Sequence, residues 1–204
     1  MGLFIAFEGI DGCGKSTQFQ RFAKYLFESD KYNHVVLTRN PYKDGNIREM
    51  IKGETDPLAK AEKLADLFIK DRTLQAEEIV IPNLKKDLFV LTDRFKLSTI
   101  AYQAAQGLDM GEMIEKQRHL PVPNITFIFD VSAEIAAKRM SGENRKEGPH
   151  RFEADLRFLE DVRQNFLKAA KMLVEEKIFI INSERSKDEI FQEIVEIFER
   201  ENKK

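Results

Sequence analysis

A glycine-rich segment directly after an apolar run is the feature of this chain that most constrains its fold. Residues 9–16 read Gly-Ile-Asp-Gly-Cys-Gly-Lys-Ser, and the apolar run occupies residues 3–7. Glycines let backbone N–H groups converge on a phosphate, and the following helix adds its positive N-terminal end. In such a loop Lys15 reaches the outer phosphates and the Ser16 hydroxyl can bind Mg²⁺. The segment predicts a strand, a phosphate-binding loop and a helix, and it indicates that the chain binds ATP.

Both flanks of this segment have the required character, which disfavours the alternative that it is a chance match in a surface loop. Cys13 lies inside the segment, where its small size is a sufficient reason for its presence. It is not expected to be a nucleophile, because phosphoryl transfer onto a phosphate needs none from the protein. The candidate ATP-binding residues here are Gly9, Ile10, Asp11, Gly12, Cys13, Gly14, Lys15, Ser16 and Thr17.

The composition excludes several classes of protein. The formal net charge of −2 gives no reason to expect a nucleic-acid or membrane partner. A single cysteine cannot form an internal disulfide and suits a reducing compartment. The N-terminal apolar run is too short to span a membrane or to serve as a signal peptide. We therefore expect a cytoplasmic protein, and the 204 residues suit one domain over residues 1–204.

Strand-like runs alternate with helical patterns along the whole chain, which predicts an α/β fold with a parallel sheet and helices on both faces. The predicted strands are residues 3–7, 35–38, 88–92, 125–129 and 178–181. The predicted helices are residues 15–28, 58–84 and 132–140, one that carries an apolar stripe from Phe152 to Leu173, and one opened by the capping box of Ser186 and Glu189. The sheet is thus expected to have five strands.

The segment around residues 141–151 is predicted to be a short mobile lid. Residues 143–149 are polar, contain glycine and end in proline. Arg145 and Arg151 belong to a basic cluster there, which could close over the transferring phosphoryl group, exclude water and neutralise developing charge. The alternative is a solvated loop with no role in the reaction.

Asp93 and Arg94 close the third predicted strand. Ligands of parallel α/β sheets collect at the carboxyl ends of the strands, so this pair should face the same crevice as the phosphate loop. Asp93 could then bind Mg²⁺ or its waters while Arg94 binds a phosphate. The alternative is a solvated ion pair at a strand end.

A second nucleotide pocket is suggested by pairs of residues four apart on predicted helices. Ser98 and Tyr102 share one face, and Thr99 and Gln103 share another. An aromatic wall beside an amide suits the edge of a base. An amphipathic helix with an ordinary polar side is the alternative.

Phe68 and Arg72 have the same spacing on the long predicted helix, where they could stack on a base and bind its carbonyl oxygen. A plain core position is the alternative for Phe68. Arg39 follows the second strand, where a phosphate or a base could be met.

In this order the segments resemble thymidylate kinases, the P-loop nucleoside monophosphate kinases that phosphorylate dTMP. The resemblance covers almost the whole chain and is carried by residues 7–18, 38–41, 67–68, 93–95, 98 and 101–103, together with Arg72, Arg139 and residues 151–153. It implies an ATP-dependent phosphotransferase that converts dTMP into dTDP for dTTP synthesis, with Mg²⁺ as cofactor. It also implies a homodimer, for which the helix over residues 58–84 is a plausible surface.

The resemblance further implies a role for individual residues. Asp11 would bind the deoxyribose 3′-hydroxyl or approach the phosphate and the metal, and Arg39 and Arg94 would hold the acceptor phosphate. Phe68 would stack on thymine, and Arg72 would bind its O4.

On the same resemblance, Thr99 or Gln103 would read the remaining edge of thymine, and Ser98 would belong to the same pocket. Tyr102 would crowd the sugar 2′ position and so disfavour ribonucleotides. Arg139 would lie against the adenine of ATP, and the lid would contain Arg145 and Arg151.

Two departures from the family pattern bear on these roles. Some members carry an arginine in the phosphate loop where this chain has Gly12, so the chain looks like the bacterial type, in which lid arginines take over the transition-state charge. Arg151 is then better placed than Arg145, because it precedes Phe152-Glu153. Relatives of that type often read Thr-Arg-Glu-Pro-Gly-Gly where residues 38–43 read Thr-Arg-Asn-Pro-Tyr-Lys, which bears on the acceptor contacts and the strictness for dTMP.

Two other functions remain open at this level. A kinase for another deoxynucleotide or for a deoxynucleoside would share the phosphate loop, and for a deoxynucleoside Glu8 could serve as the base that takes the hydroxyl proton. An ATP- or GTP-binding regulatory module is more remote. The Asn-Lys-x-Asp segment with which GTPases read guanine does not follow residues 125–129.

Overall fold

The protein is described by a computed structural model that covers residues 2–43, 47, 61–142 and 156–202. Its strands are β1 (Phe4–Glu8), β2 (Val35–Arg39), β3 (Phe89–Asp93), β4 (Ile125–Asp130) and β5 (Ile178–Asn182). Its helices are α1 (Lys15–Ser29), α2 (Ala61–Gln75), α3 (Ile81–Leu84), α4 (Lys96–Ala105), α5 (Met110–Lys116), α6 (Ala133–Gly142), α7 (Leu156–Met172) and α8 (Lys187–Asn202).

The five strands form one parallel sheet in the order β2-β3-β1-β4-β5. The prediction of a five-stranded parallel sheet is therefore confirmed, and each predicted strand lies within one residue of the observed one. Because β1 is central, its carboxyl end lies between those of β3 and β4. That edge receives the phosphate loop from β1 and the Asp93-Arg94 pair from β3.

Alternate residues of β1 serve the two faces of the sheet. Ile5 and Phe7 belong to the larger apolar cluster, whereas Phe4 and Ala6 belong to a smaller one that includes Val80. Phe4–Glu8 is buried along its whole length, as expected of a parallel strand covered on both sides. Helices on both faces of the sheet are thus observed as predicted.

The capping box predicted for the last helix is present, and the structure contains a helix, α5, that was not predicted. At the start of α8, the backbone N–H of Glu189 donates to the Ser186 hydroxyl at 3.3 Å and that of Ser186 donates to the Glu189 carboxylate at 3.0 Å, which confirms the capping box. Helix α5 was not predicted. Its sequence signal is Asp109, whose carboxylate accepts from the Glu112 N–H at 2.9 Å.

The long helix predicted over residues 58–84 is helical throughout its described part, but it is not one regular α-helix. The segment Ala76–Val80 between α2 and α3 is a π-helical turn, closed by a bond from the Ile81 N–H to the Ala76 carbonyl. Pro82 accounts for the irregularity, because its ring would clash with the carbonyl four residues earlier, that of Glu78, in a regular helix. Residues 58–60 and the expected cap at Asp56-Pro57 lie outside the described residues.

Aromatic rings pack between the central strand and the helices. The Phe7 ring lies 5.4 Å from that of Phe19, 5.5 Å from that of Phe127 and 5.8 Å from those of Phe22 and Phe129. These contacts tie β1 to α1 and β4, and so fix the strand and the helix that flank the phosphate loop. In the described part of the chain, no helix is long and apolar enough to cross a membrane.

Replacing Phe7 by alanine should lower the free energy of unfolding by about 3–5 kcal/mol, because the change leaves a cavity among four rings. Phe27→Ala is the matched control, since that ring is 63% exposed, and its cost should stay below about 0.5 kcal/mol. Urea denaturation of both variants checks this. Equal costs would contradict the assignment of Phe7 to the core.

Candidate active site

The phosphate loop connects the carboxyl end of β1 to the N-terminus of α1. Gly9, Gly12 and Gly14 have φ values of 141°, 79° and 89°, which residues with side chains rarely adopt. A Cβ at Gly12 would also lie 2.4 Å from the carbonyl oxygen of Ala136 in α6. The close approach of α6 therefore leaves no room for a side chain at this position.

A cleft of about 550 Å³ opens beside this loop. It is lined by residues 10–18, by the end of α6 and by the connection between β5 and α8. The side chains along it include the cationic residues Lys15, Lys138, Arg139, Arg185 and Lys187. Arg139 spans the cleft wall, since its Nη2 donates to the Ser183 carbonyl at 2.9 Å. This concentration of positive charge suits a polyphosphate.

Lys15 and Asp93 form a buried ion pair across the loop, with 2.6 Å between Nζ and Oδ1. Ser16, at the start of α1, is exposed. The described residues contain no group of three or more His, Cys, Asp or Glu side chains that could hold a metal by themselves. An Asp carboxylate and a Ser hydroxyl are hard oxygen donors. This donor set fits Mg²⁺, which usually takes one or two protein oxygens together with substrate phosphates and water.

Arg94 links the phosphate loop to α4. Its Nη2 lies 2.7 Å from Asp11 Oδ1 and donates to the Tyr102 hydroxyl at 3.3 Å, and its Nη1 donates to Ser98 Oγ at 3.1 Å. Burial by itself would lower the pKa of Arg94, but its interactions with the Asp11 carboxylate, with Tyr102 and with Asp93 outweigh burial and raise the pKa well above its ordinary value. The guanidinium is thus a fixed, permanent cation.

The residues predicted to form a second pocket lie on α2 and α4. Arg72 is 1% exposed, its guanidinium carbon lies 5.6 Å from the centre of the Phe68 ring, and burial lowers its pKa to about 10. Within the described residues, Nε and Nη1 of Arg72 and the Thr99 hydroxyl have no hydrogen-bond partner. Buried polar atoms are normally paired, so these unpaired ones point to a polar ligand.

Of the other predicted site residues, Gln103 is hydrogen-bonded, Arg39 is exposed, and the two lid arginines are not described. Gln103 Nε2 donates to the Gln106 side chain at 2.6 Å and to the Ala61 carbonyl at 3.3 Å. Arg39 is exposed at the end of β2, beside Asp93 in the sheet register. Arg145 and Arg151, the predicted lid arginines, lie outside the described residues.

Glu8 has a structural environment. It is fully buried, and its carboxylate accepts from the Phe95 N–H at 2.8 Å, the Ser98 N–H at 3.3 Å and the Ser98 hydroxyl at 2.5 Å. These donors lie at the N-terminus of α4, where a carboxylate stabilises the helix. Glu8 therefore caps α4, which argues against a role as a general base.

Cys13 is buried as well, and burial raises the pKa of its thiol above the ordinary 9.0. Since the thiolate is the nucleophilic form, a raised pKa disfavours reactivity. The structure thus agrees with a packing role for Cys13.

Comparisons with known proteins agree with this geometry. The family model described as "Thymidylate kinase" matches residues 7–194. A "Thymidylate kinase" of Thermosipho africanus is 35% identical over 209 residues, covering 97% of this chain and 98% of that protein. A "Probable thymidylate kinase" of Thermococcus gammatolerans is 32% identical over 210 residues, covering 98% of each.

A solved structure shows the same relationship. The crystal structure of thymidylate kinase from Ehrlichia chaffeensis superposes with a TM-score of 0.72 at 30% sequence identity, covering 97% of this chain and 98% of that one. The residues that the family model matches include the phosphate loop, the Asp93-Arg94 pair and the predicted second-pocket residues on α2 and α4. The chain belongs to the thymidylate kinase family.

Proposed function

We propose that the protein transfers the γ-phosphoryl group of ATP to dTMP, giving dTDP and ADP for dTTP synthesis. The observation that carries this proposal is the match of the family over residues 7–194, which contain both the triphosphate cleft and the second pocket. A kinase with two nucleotide substrates needs two such sites within reach of each other. Asp11 and Arg94, 2.7 Å apart, join them here.

On the donor side, the loop from Gly9 to Thr17 holds the phosphates of ATP, and Lys15 binds the outer ones. Arg139 lies against the adenine from the opposite wall of the cleft. Ser16 and Asp93 would hold Mg²⁺ together with the phosphates, and the ion would then add to the neutralisation of negative charge.

On the acceptor side, Arg94 and Arg39 hold the phosphate of dTMP, and Asp11 either binds the 3′-hydroxyl or approaches the phosphate and the metal. Tyr102 crowds the sugar 2′ position. Ser98 donates to Glu8 and accepts from Arg94, which supports a role in placing the arginine.

The base of dTMP lies on Phe68 in this proposal. Arg72 binds thymine O4 through its unpaired nitrogens, and Thr99 or Gln103 reads the remaining edge. The Arg72 and Thr99 atoms that have no partner in the described part of the chain support this assignment most directly.

The acceptor is a phosphate monoester with a second pKa of about 6, so it arrives largely ionised and needs no strong base. Positioning and fixed positive charge are then sufficient for catalysis. A deoxynucleoside acceptor would instead need a base, and Glu8 already accepts three hydrogen bonds. The phosphate acceptor is therefore favoured.

The negative charge that develops in the transition state is neutralised by the lid, about residues 141–151. Arg151 is the first candidate for this role and Arg145 is the second. The lack of space at Gly12 supports this assignment, because an arginine in the phosphate loop is not available. We further propose that the chain is one domain, forms a homodimer and acts in the cytoplasm.

A panel of acceptors tests the proposed reaction. With ATP and Mg²⁺, dTMP should give the highest kcat/KM among dTMP, dUMP, TMP, dCMP, dGMP and AMP. We expect dUMP to be second, about 10- to 100-fold below dTMP, because it lacks one methyl group. Coupled measurement of ADP release gives these values.

Thymidine completes the panel as the acceptor without a phosphate. It should not be phosphorylated, because its hydroxyl needs a base and Glu8, the candidate base, already accepts three hydrogen bonds. A higher kcat/KM for thymidine or for another monophosphate would overturn the proposed substrate. No turnover of any acceptor would favour a regulatory module instead.

Replacing Lys15 by alanine should lower kcat with ATP and dTMP by at least about 100-fold, because the outer phosphates lose a preorganised cation. Lys116→Ala is the control, since Lys116 pairs with Asp66 at 3.2 Å on the exposed surface. Steady-state kinetics of the two variants checks the difference. A Lys15→Ala enzyme with more than about a tenth of the normal kcat would contradict the role of Lys15.

A further inference from the structure

The backbone of Arg94 has a conformation that needs support. Its φ of 69° lies in the left-handed region, which is unfavourable for a residue with a side chain. Such conformations persist only where the surroundings hold them, and they cluster at functional sites. The groups that hold this backbone therefore decide where the guanidinium of Arg94 lies.

Three hydrogen bonds fix the peptide groups of Arg94. Its N–H donates to the Phe7 carbonyl at 2.9 Å. Its carbonyl accepts from the Thr92 hydroxyl at 2.8 Å and from Asn40 Nδ2 at 3.0 Å. The partners Phe7 and Thr92 lie in β1 and β3, whereas Asn40 is the residue after β2.

Asn40 is itself held in place on two sides. Its backbone N–H donates to the Asp93 carbonyl at 3.0 Å, and its Nδ2 donates to Gln75 Oε1 at 2.7 Å. Gln75 in turn donates from Nε2 to the hydroxyls of Thr38 at 3.0 Å and Thr92 at 3.2 Å. Because Asn40 and Gln75 are 6% and 0% exposed, water does not compete for these bonds.

Asn40 acts as a hydrogen-bond donor in these contacts, so its amide nitrogen is the atom that holds the Arg94 carbonyl. Nδ2 donates to two acceptors, whereas Oδ1 has no partner within the described residues. A carboxylate at this position has no hydrogen to donate and would place a second oxygen against the oxygens of Gln75 and Arg94.

We propose that Asn40 is a positioning residue for the acceptor phosphate and acts through the backbone of Arg94. The inference rests on the proposed function, in which Arg94 binds that phosphate. Asn40 touches no substrate. It determines where the Arg94 guanidinium lies by holding the Arg94 carbonyl.

The test is a double-mutant cycle between Asn40→Asp and Arg94→Ala, read as kcat/KM for dTMP. Asn40→Asp alone should lower this value by about 10- to 100-fold, because a displaced cation no longer meets the phosphate. In the Arg94→Ala background the same change should lower it by less than about threefold, since residues that act as one unit are not additive. The KM for ATP should change by less than about twofold in Asn40→Asp.

Two variants complete the experiment. Asn83→Asp is the matched control, because Asn83 Nδ2 also donates to a backbone carbonyl, that of Ile79 at 2.7 Å, but outside the site. Its kinetic constants should equal those of the unmodified protein. If Asn40→Asp does not fold, Asn40→Ala takes its place in the cycle, with the same pattern expected.

The outcomes separate the inference from the proposed function. If Arg94→Ala leaves kcat/KM for dTMP unchanged, the role of Arg94 in the proposed function is wrong and the inference falls with it. Suppose instead that Arg94→Ala lowers kcat/KM for dTMP. Only the inference is then overturned if the Asn40 change leaves that value unaltered or lowers it equally in both backgrounds. It is also overturned if the Asn40 change raises the KM for ATP as much as the KM for dTMP.

Discussion

Two ion pairs join the phosphate loop to the end of β3, and the rest of the site depends on them. Lys15 pairs with Asp93 and Asp11 pairs with Arg94, at 2.6 Å and 2.7 Å. Both cations are mostly buried, so each would be costly without a carboxylate partner. The pairs therefore hold two positive charges in place before any nucleotide arrives. Catalysis by fixed charge requires this preorganisation. If a cation first had to move into position, part of the binding energy of the substrate would be used for that movement.

The parts of the fold that the sequence predicted are those encoded by local patterns. Runs of four or five mostly apolar residues predicted the strands, the spacing of glycines before Lys15 predicted the phosphate loop, and Ser186 with Glu189 predicted the start of α8. These signals act within a few residues, so chain neighbours are enough to read them. The spacing of Phe68 and Arg72 belongs to the same kind of signal, and their contact is observed.

The parts that could not be predicted depend on residues far apart in the chain. Asn40 and Gln75 are 35 positions apart, and Glu8 lies 87 positions before the Phe95 N–H that it caps. Nothing in the sequence around Asn40 indicates that its amide meets Gln75, because that contact requires the strand order and the packing of α2. The same holds for Glu8, whose place beside the loop made it a candidate base until its bonding partners were known. Local sequence identifies a polar residue near a site, whereas tertiary packing decides whether it contacts substrate or supports the residue that does.

The site combines features that cost stability with others that compensate for them. Arg72 is buried with two nitrogens that have no partner among the described residues, the buried Thr99 hydroxyl has none there either, and Arg94 has a left-handed backbone. Each is unfavourable in the free protein, since a buried polar group without a partner costs about 1–3 kcal/mol. A ligand that pairs these atoms would remove that cost, whereas a ligand without matching polar groups would leave it. The site would therefore favour a base whose polar groups match. Buried hydrogen-bonding residues around them, which include Glu8 and Gln75, keep these groups ordered in the absence of substrate.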